Sequence, residues 1–407
     1  MRPGVVDRDR FLDEGYIIVE GLIPAGELED LRQRFEIMVD RQRAIWAAER
    51  SPEDPPGGLW ETDSQPRLIF ANLVPQIDAE TAVAVEFWTR DIHRISSRLL
   101  GMADAPVVSM MLMCSPVRDH GTADHQGWHR DVYPPFSAPI QAYTDSIAES
   151  GPRYMQWNVP LYDDDVLWVM PGTHRRLNTK EENRHLQNQP DTPLPGAVQT
   201  RLKGGDGVGY ITPIMHWGSN YDSRMRRTIH GGFSKYACYP DLSYAPRLAA
   251  PARQLFEGWG RSSERMQDLT ESALRSAVRR DAAAYDDALE RLHPGSGEKA
   301  RTLTTVFLSK TARRIKDLRN FDLNSLPEGR EWEARYLHPL TLDWGAEFAE
   351  RFDSSEASAM WERFKPVDDL LHAEREMAPP GFENRPSHHY FYEMPEGLNT
   401  SVLTGDW

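Results

Sequence analysis

The stretch from about residue 105 to residue 236 constrains the fold of this chain more than any other feature. Short apolar runs alternate there with turns rich in glycine, proline and aspartate, and the runs cover residues 107–114, 155–162, 166–170, 207–214 and 228–233. Closely spaced runs of this kind are typical of strands in an antiparallel sandwich or barrel. Two longer connections, 132–153 and 178–198, are predicted to be loops, and loops of that length are more often functional than idle.

Helical patterns flank this β-rich stretch on both sides. On the N-terminal side, apolar residues recur at steps of three and four and so share one helix face, as in Leu28, Leu31, Phe35 and Met38. On the C-terminal side, residues 263–292, 303–319 and 344–375 again have a helical composition. We therefore predict a mainly β core at about 105–236, an antiparallel sandwich or barrel, with N-terminal helices and a C-terminal helical extension. The expected domains are 1–245, with the core, and 246–407, the extension packed on it.

Composition limits the partners of the chain. Its net charge is −15, which opposes binding to a phosphate backbone, so no nucleic acid is expected. No apolar run approaches the length of about 18 residues that a membrane span needs, and the N-terminus lacks the apolar stretch of a secretory signal. Only Cys114 and Cys238 occur, which is no disulfide framework and fits a reducing cytoplasm. A small-molecule substrate is expected, and a homodimer is left open.

The segment His129-Arg130-Asp131 has the form of half a metal site. On a strand, residues i and i+2 point to the same side, so His129 and Asp131 converge on one ion. Two imidazoles and one carboxylate on one face of an iron(II) ion leave positions for a cosubstrate and oxygen. The pair alone is weak evidence, because a chain with 13 histidines is expected to contain about one such pair by chance.

A later strand provides a candidate third ligand. A turn at Gly205-Asp206 leads into an apolar run that ends at His216, and Arg226 and Arg227 follow shortly before another run. A guanidinium near the metal suits the distal carboxylate of 2-oxoglutarate, because it offers two parallel hydrogen bonds and keeps its charge in a dry pocket.

With these motifs the sequence resembles the phytanoyl-CoA dioxygenase family over about residues 8–40 and 105–235. The resemblance is carried by Phe11-Leu12-Asp13-Glu14-Gly15-Tyr16, His129-Arg130-Asp131, Trp157-Asn158-Val159-Pro160-Leu161, Pro171-Gly172-Thr173-His174, Gly205-Asp206 and the Arg226-Arg227 pair after His216. It implies that the core at about 105–236 is a double-stranded β-helix, a cupin-like jelly roll. It also implies iron(II), dioxygen, and 2-oxoglutarate turned over to succinate and carbon dioxide.

The resemblance also implies roles for single residues. His129, Asp131 and His216 match the metal ligands, and Trp157 matches an aromatic residue that lines the 2-oxoglutarate pocket. The carboxylate-binding arginine is Arg227 by its spacing from His216, and Arg226 if the pair is aligned by the strand that follows.

The sequence departs from the family pattern directly after His216. Trp217 stands where the family usually has glycine, so Gly218 and Ser219 come one position late. The resemblance assigns Ser219 as a further 2-oxoglutarate contact, one position later than the family pattern places it.

The expected function is hydroxylation of a small organic molecule. The same cofactors also serve desaturation, epoxidation and cyclisation, and these alternatives stay open. Another alternative is an iron-binding jelly-roll protein without turnover, since a fold alone does not give a function. Asp131 argues against a halogenase, because a carboxylate would occupy the position that a halide needs.

Overall fold

A computed structural model describes residues 6–63, 65–69, 76–117, 126–132, 138–220, 224–236, 242–320, 344–375 and 393–407, so that Cys238 lies outside the described residues. Its contacts divide the chain into two compact units. The first comprises Met1–His129, Tyr154–Gly172 and Asn188–Gly260, and the second comprises Arg130–Arg153, Thr173–Gln187 and Arg261–Trp407. The predicted domain boundary at residue 245 stays a prediction.

The strands that the structure describes all belong to the first unit. They are β1 Tyr16–Val19, β2 Arg67–Ile69, β3 Val107–Met113, β4 Gln126–His129, β5 Tyr154–Pro160, β6 Leu167–Met170, β7 Val198–Gln199, β8 Gly207–Ile211, β9 Met215–Gly218 and β10 Thr228–Ser234. They form a six-stranded sheet in the order β1-β8-β5-β10-β3-β2 and a four-stranded sheet in the order β4-β9-β6-β7. The strand pairs are antiparallel. The prediction of an antiparallel β core is thus confirmed.

A buried apolar cluster joins the two sheets. Tyr16, Val208 and Tyr210 of the larger sheet form it together with Leu167 and Val169 of β6 in the smaller sheet. These side chains therefore mark the inner face of each sheet, where apolar area is removed from water.

Polar residues continue the inner face of the larger sheet beyond Tyr210. The register pairs Tyr210 with Gln156 and Val208 with Asn158, and Asn158 with His230 on the next strand. Residues paired directly across strands point to the same side of a sheet. Gln156, Asn158 and His230 are buried, so polar groups line this face.

The helices of the described chain include α1 Arg8–Glu14, α2 Ala25–Glu49, α3 Leu59–Thr62, α4 Val83–Glu86, α5 Asp91–Leu100, α6 Ile140–Ser150, α7 Lys180–Asn188, α8 Ala250–Arg279, α9 Ala282–Leu292, α10 Glu298–Asn320, α11 Gly345–Ala349, α12 Ser354–Arg375 and α13 Ser401–Thr404. Capping chemistry sets their ends where the sequence provides it. Helix α1 begins after Asp7, whose carboxylate accepts a hydrogen bond from the backbone N–H of Arg10, and it ends at Gly15 with φ of 83°. In the described residues, no helix is both long enough and apolar enough to cross a membrane.

Within the second unit, helix α6 is fixed against the start of α10. The Glu149 carboxylate accepts hydrogen bonds from the backbone N–H groups of Lys299 and Ala300 at 3.2 and 2.9 Å. A carboxylate at a helix N-terminus satisfies orphan donors and favours the helix dipole. The Arg153 guanidinium donates to the Thr304 hydroxyl at 3.0 Å and to the Ala300 carbonyl at 2.5 Å.

Three local predictions were wrong. The connections 132–153 and 178–198, predicted to be loops, contain the helices α6 and α7. The helix predicted over 263–292 is interrupted, because Arg280 has a φ of 56° and Asp281 caps a new helix through the backbone N–H of Ala284.

Candidate active site

Strands β4 and β9 place two histidines side by side. His129 and His216 are directly paired across the strands, and their ring centroids are 4.2 Å apart. Asp131 follows two residues after His129. One ligand atom from each of the three residues lies within 4.8 Å of the others, with both histidines buried and Asp131 half-buried. The structure therefore brings together the three residues whose spacing predicted a metal site.

Each imidazole is oriented by a hydrogen bond to the backbone carbonyl two residues before it. Nδ1 of His129 lies 2.8 Å from the Gly127 carbonyl oxygen, and Nδ1 of His216 lies 3.0 Å from that of Ile214. A carbonyl oxygen only accepts, so each Nδ1 donates and each Nε2 presents its lone pair. Metal-binding histidines are commonly held in this way. Two neutral imidazoles and one carboxylate are the donor set that non-heme iron(II) takes.

Arg226 belongs to a buried polar group next to strand β10. Its Nε donates to an Asp164 carboxylate oxygen at 2.7 Å, and the Thr228 hydroxyl donates to the same oxygen at 3.0 Å. Burial alone would raise the pKa of Asp164, but the Arg226 guanidinium and these hydrogen bonds hold the pKa below its ordinary value. Asp164 is therefore an ionised partner that fixes the direction of Arg226.

Arg227 is turned the other way, toward helix α2. It forms a bidentate pair with Glu36, in which Nε donates to Oε2 at 2.8 Å and Nη2 donates to Oε1 at 2.7 Å. It also donates to the Cys114 carbonyl oxygen at 3.3 Å and lies over the ring of Trp60. The two adjacent arginines therefore have different surroundings.

The sequence profile of the phytanoyl-CoA dioxygenase family matches residues 11–228, just over half of the chain. The chain belongs to the phytanoyl-CoA dioxygenase family. The resemblance noted in the sequence is thereby confirmed. This family member is a 2-oxoglutarate-dependent non-heme iron oxygenase, with iron and 2-oxoglutarate as its cofactors. The donor set of His129, Asp131 and His216 is suited to the iron.

Several solved structures are similar to this family member. EvdO2 from Micromonospora carbonacea var. aurantiaca, complexed with 2-oxoglutarate, is 21% identical, covers 60% of this chain and 98% of its own, and has a TM-score of 0.37. AviO1 from Streptomyces viridochromogenes Tue57 is 18% identical, with 56% and 96% covered and a TM-score of 0.38. The epimerase SnoN, in complex with Fe3+, alpha ketoglutarate and nogalamycin RO, is 16% identical, with 56% and 81% covered and a TM-score of 0.36. A comparison with curated proteins finds no match. The family assignment therefore depends on the sequence profile.

Two further predicted site residues make contacts within the fold. The Trp157 indole donates to the Ser96 hydroxyl of helix α5 at 2.8 Å. Strand alternation turns Trp157 to the face opposite Gln156 and Asn158. Ser219 accepts from the Trp168 indole at 3.1 Å and donates to the Val166 carbonyl oxygen at 3.2 Å. The 2-oxoglutarate roles of Trp157 and Ser219 stay predictions.

The departure at Trp217 is explained by a tryptophan cluster. Trp217 stacks on Trp128 with ring centroids 5.6 Å apart, and it lies 5.8 Å from Trp168. Trp128 and Trp217 each stand next to one of the paired histidines, so alternation places them on the other face of β4 and β9. The cluster therefore packs behind the strands that carry the two imidazoles.

We expect Trp217→Gly, which introduces the residue usual for the family, to destabilise this protein. Removing a buried indole lowers the free energy of unfolding by about 3–5 kcal/mol, and the loosened β4–β9 pair should also bind iron(II) more weakly. Chemical denaturation and iron titration measure the two effects. Trp217→Phe is the matched control and should keep most of both properties, whereas a Trp217→Gly protein as stable as wild type would refute the role of the cluster.

The sequence analysis did not indicate the polar residues on the inner face of the larger sheet, where Tyr210 lies beside His216. The Tyr210 ring lies 5.2 Å from the His216 ring, and the Tyr210 hydroxyl accepts from the Gln156 amide at 3.4 Å. On the same face, Nδ1 of His230 lies 2.5 Å from the Asn158 side-chain oxygen. The alternation of Gln156, Trp157, Asn158 and Val159 was visible in the sequence and is the signal that could have indicated them.

Proposed function

We propose that this enzyme hydroxylates a small organic molecule at an iron(II) ion held by His129, Asp131 and His216, with 2-oxoglutarate and dioxygen converted to succinate and carbon dioxide. The observation that carries the proposal is the convergence of the three ligand atoms within 4.8 Å. Both imidazoles are already oriented through Nδ1, so little reorganisation is needed to bind the ion. Iron(II) bound there would supply the redox chemistry that activates dioxygen.

We further propose that the two sheets form a double-stranded β-helix with the site between their inner faces. The buried cluster that joins β1 and β8 to β6 supports this arrangement. The contact between Tyr210 of the larger sheet and His216 of the smaller one supports it at the metal ligands themselves. A closed space between the sheets would exclude water from the reacting centre.

Within this site we propose Arg226, rather than Arg227, as the group that binds the distal carboxylate of 2-oxoglutarate. Arg226 and Thr228 bond to the same Asp164 oxygen, so they point the same way. Thr228 shares a face of β10 with His230, two residues on, and this is the face that carries Tyr210 beside His216. Arg227 is directed instead to Glu36.

The polar inner face supports a substrate that carries hydrogen-bonding groups. Gln156, Asn158 and His230 are buried there together with Tyr210. Gln156 already bonds to Tyr210 and His230 to Asn158. Amides and imidazoles each offer more than one donor or acceptor site, so a substrate with hydrogen-bonding groups suits this face better than a pure hydrocarbon. Their task would be to bind and orient the substrate while the metal ligands stay fixed.

Product analysis tests the proposal. The iron-loaded enzyme is supplied with carboxyl-labelled 2-oxoglutarate and dioxygen, first alone and then with fractions of a small-molecule extract. We expect slow iron-dependent release of succinate and labelled carbon dioxide, and faster release with the fraction that contains the substrate. A product heavier by one oxygen atom indicates hydroxylation or epoxidation, and one lighter by two hydrogen atoms indicates desaturation or cyclisation. The proton NMR spectrum of the product separates the two members of each pair. Succinate release no higher than that of a His216→Ala variant would contradict the proposal.

A further inference from the structure

The residue between the first two proposed ligands is a fully buried arginine. Arg130 has a relative exposure of 0%. Its guanidinium donates to the Thr173 carbonyl oxygen at 2.5 Å, to the Arg176 carbonyl oxygen at 3.2 Å and to the Asn178 side-chain oxygen at 2.7 Å. Burying a guanidinium is costly unless its donors are satisfied, and these three acceptors satisfy several of them.

The acceptors lie on a segment that is itself held in place, which we term the anchor segment, residues 173–183. Asn178 donates to the Asn183 side-chain oxygen at 3.1 Å. Thr179 and Glu182 form a reciprocal capping box at the start of α7, with hydrogen bonds of 2.7 and 3.1 Å. Arg176 makes a bidentate pair with Glu182 at 2.8 and 2.7 Å. Arg130 is thus attached to an ordered structure rather than to a loose loop.

Glu182 also supplies a counter-charge for Arg130. Burial would raise the pKa of Glu182, but Arg176, the capping hydrogen bond and the charge of Arg130 hold the pKa below its ordinary value. An ionised Glu182 therefore reduces the cost of burying the Arg130 cation.

The backbone beside Arg130 turns sharply at the proposed ligand Asp131. The Val132 N–H donates to the Arg130 carbonyl oxygen at 2.6 Å, which closes a three-residue turn with Asp131 at its centre. The direction of the Asp131 carboxylate depends on this turn. The guanidinium of Arg130 fixes one end of the turn, and the buried Val132 fixes the other.

We propose that Arg130 is a positioning residue that holds the Asp131 carboxylate in the direction required for metal binding, through its hydrogen bonds to the anchor segment. This inference rests on the proposed function, because it takes Asp131 as a metal ligand. Groups behind a metal ligand that orient it commonly change metal affinity by about 10- to 100-fold when they are removed.

Metal titration of Arg130→Met tests the proposal, since methionine keeps much of the side-chain length without any donor. Cobalt(II) and iron(II) are titrated anaerobically into the full chain, and binding is followed by absorption and calorimetry, without turnover. We expect affinity for both ions to fall by about 10- to 100-fold. Arg130→Lys should bind nearly as weakly as Arg130→Met, because a single ammonium does not reproduce the planar fork.

Arg153→Met is the matched control. Arg153 is also a buried arginine of the second unit, and it donates to a carbonyl and to a hydroxyl oxygen. Its removal should lower thermal stability as the Arg130 change does, but leave metal affinity within about twofold of wild type. Equal losses of metal affinity in the two variants would reduce Arg130 to a general stabilising role and overturn the proposal.

Asn178→Ala is a second test of the proposal that does not depend on Arg130→Met being able to fold. It removes one of the three acceptors, and we expect metal affinity to fall by about three- to tenfold. If the wild type binds metal and a folded Arg130 or Asn178 variant binds it with unchanged affinity, the proposal is overturned. A wild type that binds neither ion contradicts the proposed function itself.

Discussion

His216→Ala is expected to weaken iron(II) binding by more than about a hundredfold, a larger loss than groups behind a ligand cause, and to abolish 2-oxoglutarate turnover. The change removes one of three converging ligand atoms. The two remaining groups no longer provide the facial set of two imidazoles and a carboxylate. Anaerobic titration with iron(II), followed by calorimetry, measures the affinity, and succinate release measures the turnover.

His93→Ala is the control for loss of a histidine from the first unit. His93 makes a hydrogen bond to Asp104 at 2.8 Å and packs against Trp259, so its removal costs packing without touching the proposed ligands. We expect iron affinity within about twofold of wild type. Iron affinity that survives His216→Ala would show that the metal is held elsewhere.

Arg226→Gln is expected to raise the KM for 2-oxoglutarate by about 10- to 100-fold, because a buried charge-assisted contact to a carboxylate contributes about 1.5–3 kcal/mol. The single change would leave the buried Asp164 carboxylate without its partner, which is costly for the fold. A second change, Asp164→Asn, removes the unpaired charge, so that both residues of the former ion pair are neutral. The double variant should therefore fold and bind iron(II), and initial rates at varied 2-oxoglutarate give its KM.

Arg227→Gln is the matched comparison at the next residue. Its partner Glu36 is 37% exposed, so the loss of this ion pair should lower the free energy of unfolding by only about 1 kcal/mol. The KM for 2-oxoglutarate should stay within about twofold of wild type. If the KM for 2-oxoglutarate rises in Arg227→Gln but not in the Arg226 variant, Arg227 is the carboxylate-binding residue, as its spacing from His216 predicts.

These two arginines show why the site was predictable only in part. The residues of the metal triad could be predicted from the two-residue repeat of a strand and from a histidine after a later apolar run. The local geometry differs from that prediction, because β4 ends at His129, Asp131 lies in a turn, and His216 belongs to β9 rather than to the end of β8. The choice between Arg226 and Arg227 depends on register, since a shift of one residue reverses the face of every side chain. Two identical residues in succession carry no pattern that fixes the register.

The strands were more predictable than the helices inside the connections. Strand β10 follows from an apolar run bounded by turn residues. Helix α7 is highly polar and shows no apolar stripe. Its only start signal in the sequence is the capping-box spacing of Thr179 and Glu182. The break at Arg280 lies in a continuous helical pattern, and only Asp281 as a cap indicates it afterwards.

The roles of Trp157 and Arg130 depend on tertiary contacts that the sequence does not contain. Trp157 has the strand position that the resemblance assigns to the 2-oxoglutarate pocket, but its indole bonds to Ser96 of α5. Arg130 is the middle residue of the His129-Arg130-Asp131 motif, and the motif predicts a role only for the two outer residues. Its partners lie more than 40 residues away in the chain, and only the fold brings them to it.

The most direct test of the account is anaerobic titration of the metal-free protein with iron(II) and then with 2-oxoglutarate, followed by visible absorption. Chelation of 2-oxoglutarate to iron(II) beside two imidazoles and a carboxylate should give a weak metal-to-ligand charge-transfer band. We predict this band in the wild type with one iron per chain, and its absence in His216→Ala. A wild type that binds iron(II) but shows no band at saturating 2-oxoglutarate would contradict the central claim that His129, Asp131 and His216 form a 2-oxoglutarate-binding iron site.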